Sequence, residues 1–189
     1  PNNPTGNSMN ESDIESIISA FNGIVVIDEA YIDFSERPSF KTKVNSYRNL
    51  IVMQTFSKAM GLAAARVGIA FMDPSMVLYF NKMKPPYNIS TINQKAALKC
   101  LTRIELLKKR IIRIKTERER LAQNLKKISI IEKVFPSDSN FLLVRTRNAD
   151  LIYSMLIDNK IIVRNRNKIV PGCIRVTVGT VSENNILIR

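Results

Sequence analysis

The 189-residue sequence carries 29 Lys+Arg against 16 Asp+Glu, a formal charge of +13, with 45% hydrophobic residues, 8 Pro, 6 Gly, 2 Cys and no His or Trp. That is a globular composition with enough chain to bury a core, and it is neither disordered, collagenous nor stapled by disulfides. Zero His, and two cysteines as far apart as Cys100 and Cys173, exclude a His-dependent triad and a Cys/His metal site.

In chain order, Pro1-Asn2-Asn3-Pro4-Thr5-Gly6 reads as a turn. The spacing of Ile14, Ile17, Ile18 and Phe21 predicts a short helix over Asp13–Phe21, capped by Ser12 and ended by Gly23. Ile24-Val25-Val26-Ile27-Asp28 is a continuous β-branched run, the pattern of a parallel strand covered on both faces, and it stops on a carboxylate. A polar stretch over 35–48, loop with some helix, leads to a second buried strand, Leu50–Thr55, which runs into Phe56-Ser57-Lys58. After the small residues Gly61–Ala65 and Arg66, Val67–Met72 predicts a third strand. Asp73-Pro74 opens a helix to about Lys82, and Pro85-Pro86 breaks the chain.

Leu101, Ile104, Leu107, Ile111, Ile114, Leu121, Leu125 and Ile128 then recur at helical intervals and predict one long amphipathic helix. Residues 95–133 hold 13 basic and 4 acidic side chains, net +9, so most of the excess charge is the solvated face of this helix. Polyanion binding is the sharper reading of that face, but no aromatic residue for stacking lies between Ile92 and Ser129. Beyond Pro136, strands at Asn140–Val144, Ile161–Arg164 and Ile174–Val178 and a helix at Ala149–Asp158 predict a small α+β unit. Residues 182–189 read as a helix capped by Ser182 and cut after about two turns, which, with the opening on Pro1, leads us to expect a piece of a longer protein. No apolar run approaches the roughly 20 residues of a membrane span, and the expectation is a cytoplasmic protein without membrane contact.

Three groups of reactive side chains sit where apolar strands stop: Asp28, then Thr55/Ser57/Lys58, then Arg66. Ligands of open α/β sheets bind outside the carboxyl ends of strands, so Asp28 and Lys58 are expected on one rim. Singly, Asp28 reads as well as a turn cap, Lys58 as a surface lysine and Arg66 as half of an ion pair. Together they meet one specification: an amine for a Schiff base, hydroxyls and a guanidinium for a phosphate, and a carboxylate for a pyridinium proton.

In order and spacing, Pro1–Gly6, Val26-Ile27-Asp28-Glu29-Ala30-Tyr31-Ile32-Asp33-Phe34, and Thr55-Phe56-Ser57-Lys58-Ala59-Met60-Gly61-Leu62-Ala63-Ala64-Ala65-Arg66-Val67-Gly68 resemble the fold-type-I pyridoxal-phosphate-dependent aminotransferases. Pro85-Pro86-Tyr87-Asn88-Ile89-Ser90 and Cys173-Ile174-Arg175-Val176-Thr177-Val178-Gly179-Thr180 extend the likeness, which is strongest to the histidinol-phosphate branch. The resemblance implies an α/β fold. Residues 1–95 would be the C-terminal part of a large cofactor-binding domain with a mainly parallel sheet, 96–128 a connecting helix, and 129–189 a small C-terminal α+β domain truncated at its last helix.

It also implies roles. Lys58 would hold pyridoxal 5'-phosphate covalently and shuttle the proton of the substrate, spending time neutral through partial burial. Asp28 would pair with the pyridinium nitrogen, and Asn3 and Tyr31 with the ring's phenolic oxygen. Thr55, Ser57 and Arg66 would grip the cofactor phosphate. Arg175 and Arg164 would bind the phosphate of a phosphorylated amino alcohol, two guanidiniums suiting a dianion, although Arg166 and Lys168 lie close to Arg164. The implied reaction is amino transfer between histidinol phosphate and 2-oxoglutarate in a homodimer. The expected phosphate-binding turn, ring-stacking aromatic, lid and partner tyrosine are absent from the 189 residues, so the chain alone is expected to be inactive. Threonine-phosphate decarboxylase, aromatic aminotransferase and, in a different class, a basic nucleic-acid-binding module are the competing readings.

Overall fold

The computed structural model describes residues 1–189, which fold as two compact units, residues 9–108 and residues 109–189 together with 1–8. The turn at residues 1–8 thus packs with the small unit, although the sequence assigns it to the large one.

The first unit opens with α1 (Glu11–Ala20), which begins two residues before its predicted start; its N-cap is the extended Asn10, not Ser12. Three strands follow, β1 (Val25–Asp28), β2 (Leu50–Thr55) and β3 (Gly68–Met72), in the order β1-β2-β3. β1 and β2 are parallel and β3 is antiparallel to β2, so the sheet is mixed where a mainly parallel one is expected. Short 3-10 turns at Ile32–Phe34 and Phe40–Lys43 fill the polar stretch before β2. Ile14 and Ile18 of α1 pack with Val25, Ile27, Phe40, Leu50, Val52 and Phe71 on one face of the sheet. Lys43 anchors the second turn to α1 through Glu11 and Glu15, whose hydrogen bonds, Glu11's foremost, push its ammonium pKa up.

Coverage of both faces does not follow. Exposure alternates along β1, and Val26 on the face away from α1 is 50% exposed, as Met53 on the neighbouring strand is 41%. The β-branched run is therefore half-covered in this chain.

α2 (Pro74–Met83) starts as predicted, with Asp73 as N-cap accepting from the Ser75 N–H. The single long helix divides into α3 (Thr91–Leu101) and α4 (Ile104–Leu125). At the break the Thr102 hydroxyl donates to the Lys99 carbonyl and the Arg103 N–H bonds the Cys100 carbonyl three residues back, which interrupts the i→i−4 ladder. The division between units falls inside α4. No helix is long and apolar enough to cross a membrane.

The second unit carries β4 (Ile131–Val134), β5 (Phe141–Thr146), α5 (Ala149–Asp158), β6 (Arg164–Asn165), β7 (Cys173–Thr177) and α6 (Val181–Ile188). Its sheet is fully antiparallel, in the order β4-β5-β7-β6. β4 was not anticipated, and the predicted strand at Ile161–Arg164 shrinks to the pair Arg164–Asn165. Leu121 and Leu125 of α4, Ala149 of α5 and Leu142, Val144, Ile174 and Val176 of the sheet form one buried core. α6 is capped by Thr180 in place of Ser182: the Thr180 hydroxyl accepts from the Glu183 N–H and the Glu183 carboxylate accepts from the Thr180 N–H, a reciprocal capping box.

Candidate functional site

Because β1 and β2 run parallel, Asp28 and Thr55 end their strands at the same edge of the sheet. Asp28 is exposed, and its Oδ1 accepts from the Ala30 N–H at 2.9 Å, a tight turn that leads the chain off the strand. Tyr31 follows on that turn, 7% exposed. Lys58, three residues beyond β2, sets its Nζ over the Tyr31 ring, 5.2 Å from the centroid, a cation–π distance. Lys58 itself is exposed, where the expectation is partial burial favouring the neutral amine.

The loop between β2 and β3 is built around the Thr55 hydroxyl, which accepts from the Ser57 N–H at 3.0 Å and donates to the Val67 carbonyl. The Phe56 N–H bonds Val67 O and the Leu62 N–H bonds Phe56 O, so residues 56–67 close into a compact loop with Phe56, Ala65 and Val67 buried beneath it. Arg66 sits in left-handed backbone at φ 52°, ψ 40°, a conformation that costs a non-glycine residue about 1–2 kcal/mol. Its guanidinium is exposed, with Nη1 donating to the Ala63 carbonyl at 3.2 Å. Ser57, Lys58 and Arg66 thus all stand on one strand-to-strand loop, and Thr55 on the end of β2 that opens it.

The remaining predicted residues lie in the second unit. The Arg175 Nη1 donates to Asn3 Oδ1 at 2.6 Å, and the Arg175 guanidinium lies 4.8 Å from the Phe141 ring centroid. The Asn3 segment is held in place by Gly6, whose N–H bonds Asn2 O and whose carbonyl accepts from the Asp138 N–H. Gly6 has φ +82°, and a Cβ there would lie 2.6 Å from the Ser137 hydroxyl, so only glycine fits. Arg164 is the direct cross-strand partner of Arg175, so the two side chains leave the sheet on the same face. Asn3 and Arg175 meet, a contact the sequence did not suggest.

Three further features escaped the sequence. Glu29, next to Asp28, is 4% exposed and accepts from the Phe40 N–H at 2.7 Å, from Gln54 Nε2 at 2.8 Å and from the Ser39 hydroxyl. Strand alternation was the available signal: with Asp28 facing outwards, its neighbour faces the core. Asp150 accepts from both Asn165 and Asn167, bonds that hold its carboxyl below its ordinary value and tie the end of β6 and the loop after it to the first turn of α5. Burial, opposed by the nearby Lys41 charge, pushes the Asp33 carboxyl up.

The donor set fits the cofactor that the resemblance implies: Lys58 offers a primary amine, Asp28 an outward carboxylate, and Thr55, Ser57 and Arg66 hydroxyl and guanidinium donors for a phosphate. The family model for aminotransferase class I and II matches residues 1–189. Histidinol-phosphate aminotransferases from Cytophaga hutchinsonii and Parabacteroides distasonis are 44% and 45% identical over 190 and 191 residues, covering 100% of this chain and 55% of each relative. The chain therefore spans about half the length of the curated relatives it matches. Among solved structures, the histidinol-phosphate aminotransferase from Clostridium acetobutylicum superposes with a TM-score of 0.93 at 25% identity, over 100% of this chain and 60% of that one. The enzyme from Sinorhizobium meliloti, in complex with pyridoxal-5'-phosphate, gives 0.89 at 27% over 98% and 53%. L-threonine-O-3-phosphate decarboxylase from Porphyromonas gingivalis, at 19% identity and a TM-score of 0.87, shares the fold. The chain belongs to the class I and II aminotransferases, enzymes of fold type I that use pyridoxal 5'-phosphate.

Proposed function

We propose that this chain is part of a histidinol-phosphate aminotransferase that passes an amino group between histidinol phosphate and 2-oxoglutarate in histidine biosynthesis, in the cytoplasm and as a homodimer. The observation that carries the reading is the gathering of Lys58, Tyr31 and Asp28 at one strand edge, in a chain 41–45% identical to relatives bearing that name.

When bound, pyridoxal phosphate supplies an electron sink for the negative charge that develops on the substrate's α-carbon. Lys58 anchors the cofactor and afterwards moves the α-carbon proton, its Nζ held near the site by the Tyr31 ring. The Asp28 carboxylate, already braced by the Ala30 N–H, keeps a proton on the cofactor's ring nitrogen. Tyr31 and Asn3 donate to the ring oxygen. Thr55, Ser57 and Arg66 hold the cofactor phosphate, and the left-handed backbone of Arg66 aims its guanidinium at the cost noted above. Arg175 and Arg164 take the substrate phosphate. Two like charges directly opposite on a ladder repel each other, and a dianion between them turns that repulsion into charge-assisted binding.

The chain alone is expected to hold the cofactor weakly and to be inactive. The test uses the complete enzyme, supplied with histidinol phosphate and 2-oxoglutarate and followed by glutamate formation. Release of CO₂ from phosphothreonine without amino transfer, or faster turnover of phenylalanine than of histidinol phosphate, would overturn the substrate. Borohydride trapping of the cofactor should mark Lys58; labelling spread over the other lysines would remove the anchor.

A further inference from the structure

We propose that Glu29 is a positioning residue of the cofactor site: its buried carboxylate locks the ends of β1 and β2 so that Asp28 and Thr55 face the cofactor. The inference rests on the roles assigned to those two residues above.

A carboxylate that is 4% exposed is costly to bury unless its oxygens are well supplied with donors. Glu29 meets that condition. Oε1 takes the Phe40 N–H, and Oε2 takes both Gln54 Nε2 and the Ser39 hydroxyl, while Gln54 also donates to Ser39 Oγ at 3.1 Å. One side chain thus joins the end of β1, the turn that starts at Phe40, and the end of β2. The Glu29 N–H continues the ladder to the Met53 carbonyl at 2.8 Å.

The two residues fixed this way each precede or follow a candidate cofactor contact. Glu29 comes directly after Asp28, and Gln54 directly before Thr55. Successive side chains on a strand point to opposite faces, so holding Glu29 and Gln54 against the core turns Asp28 and Thr55 outwards together. A slip of one residue in β1 would bring Asp28 into the core and Glu29 out, and a slip in β2 would do the same to Thr55 and Gln54. Glu29 itself lies on the face away from the site and acts only through its neighbours.

In the complete enzyme, Glu29→Gln keeps the shape but sets an amide N–H₂ against one of the donors. The expected result is a cofactor dissociation constant raised on the order of 10- to 100-fold, the usual effect of removing a group that orients a ligand's direct partner. The absorbance spectrum of the bound cofactor should shift in the same sense as in Asp28→Asn. In the Asp28→Asn background Glu29→Gln should add little, since both act on one contact. Gln54→Met, which removes one donor, should give a smaller loss of the same kind. Unchanged affinity and spectrum in Glu29→Gln, or an equal loss with and without Asp28, would overturn the inference. If Glu29→Gln does not fold, Gln54→Met and Ser39→Ala decide, and unchanged affinity in both overturns it. An Asp28→Asn variant with normal affinity and spectrum would sink the cofactor role of Asp28 and this inference with it. An effect of Asp28→Asn alone removes only the inference.

Discussion

The antiparallel sheet of the second unit packs into one cluster of ten buried residues drawn from two helices, its own strands and their flanks, whereas the cluster on the covered face of the first unit's mixed sheet holds four, Ile18 of α1, Phe40 of the second 3-10 turn, and Leu50 and Val52 of β2. The other face of that first sheet leaves Val26 and Met53 in solvent. Yet the first unit holds every proposed cofactor contact except Asn3. The region with the proposed cofactor contacts is thus the one whose sheet has the smaller core cluster, and the ends of its parallel strands are joined by the hydrogen bonds of Glu29.

The largest expected effect tests the chemical half of this contrast. In the complete enzyme, Lys58→Ala should lower amino transfer by at least about 10²- to 10⁴-fold, the usual worth of a positioned proton-transfer group, with further loss from the missing anchor. Steady-state turnover with histidinol phosphate measures it. With the cofactor removed, the substitution of this exposed lysine should leave the thermal midpoint nearly unchanged, and a large fall in that midpoint would mean the residue is structural.

The structural half is tested by truncating one side chain in each sheet. Leu142, 2% exposed in the second unit's core, should cost about 2–5 kcal/mol as Leu142→Ala. Met53→Ala, on the open face, should cost under about 0.5 kcal/mol. Denaturant unfolding of the two variants checks both, and a comparable loss at Met53 would show that its face is covered in solution.

How much of this was readable from residues alone follows from the same physics. Asp28 and Lys58 could be read as candidates because they stand where β-branched runs stop, and Arg66 because it directly precedes the third strand, strand ends being where open sheets place ligands. The break between α3 and α4 was not legible, since the apolar spacing continues through it and the bonds of the Thr102 hydroxyl to Lys99 O and of the Arg103 N–H to Cys100 O reveal it. The cap of α6 was misread because Ser182 and Thr180 are chemically alike, and only Glu183 three residues after Thr180 discriminates. The Arg175–Asn3 bond joins residues distant in sequence, which local periodicity cannot carry.

That cap gives a smaller effect. Thr180→Ala removes the hydroxyl that accepts from the Glu183 N–H and should cost about 0.5–2 kcal/mol. Amide exchange of residues 181–184 should accelerate while that of β1 and β2 stays as it was. Faster exchange in both places would join the two units into one cooperative structure.

The smallest effect is a difference of sign. Burial raises the Asp33 carboxyl above its ordinary 3.8, so between that value and its folded one the native state holds more protons than the unfolded chain. Stability from this group is therefore present at low pH and lost as pH rises. Glu117 in α4 is the reverse: its hydrogen bond from Arg120 lowers its carboxyl below the ordinary 4.5, so the stability it adds is present above 4.5 and lost as pH falls through the folded value. Asp33→Asn should consequently stabilise the first unit at neutral pH more than in acid, and Glu117→Gln should destabilise the second at neutral pH more than in acid. Amide exchange followed separately over residues 25–72 and 131–177 reads the two slopes. Slopes of one sign would mean that Asp33 reaches water more freely than its surroundings imply, and that the first unit tolerates its polar groups because it is open rather than because it holds them.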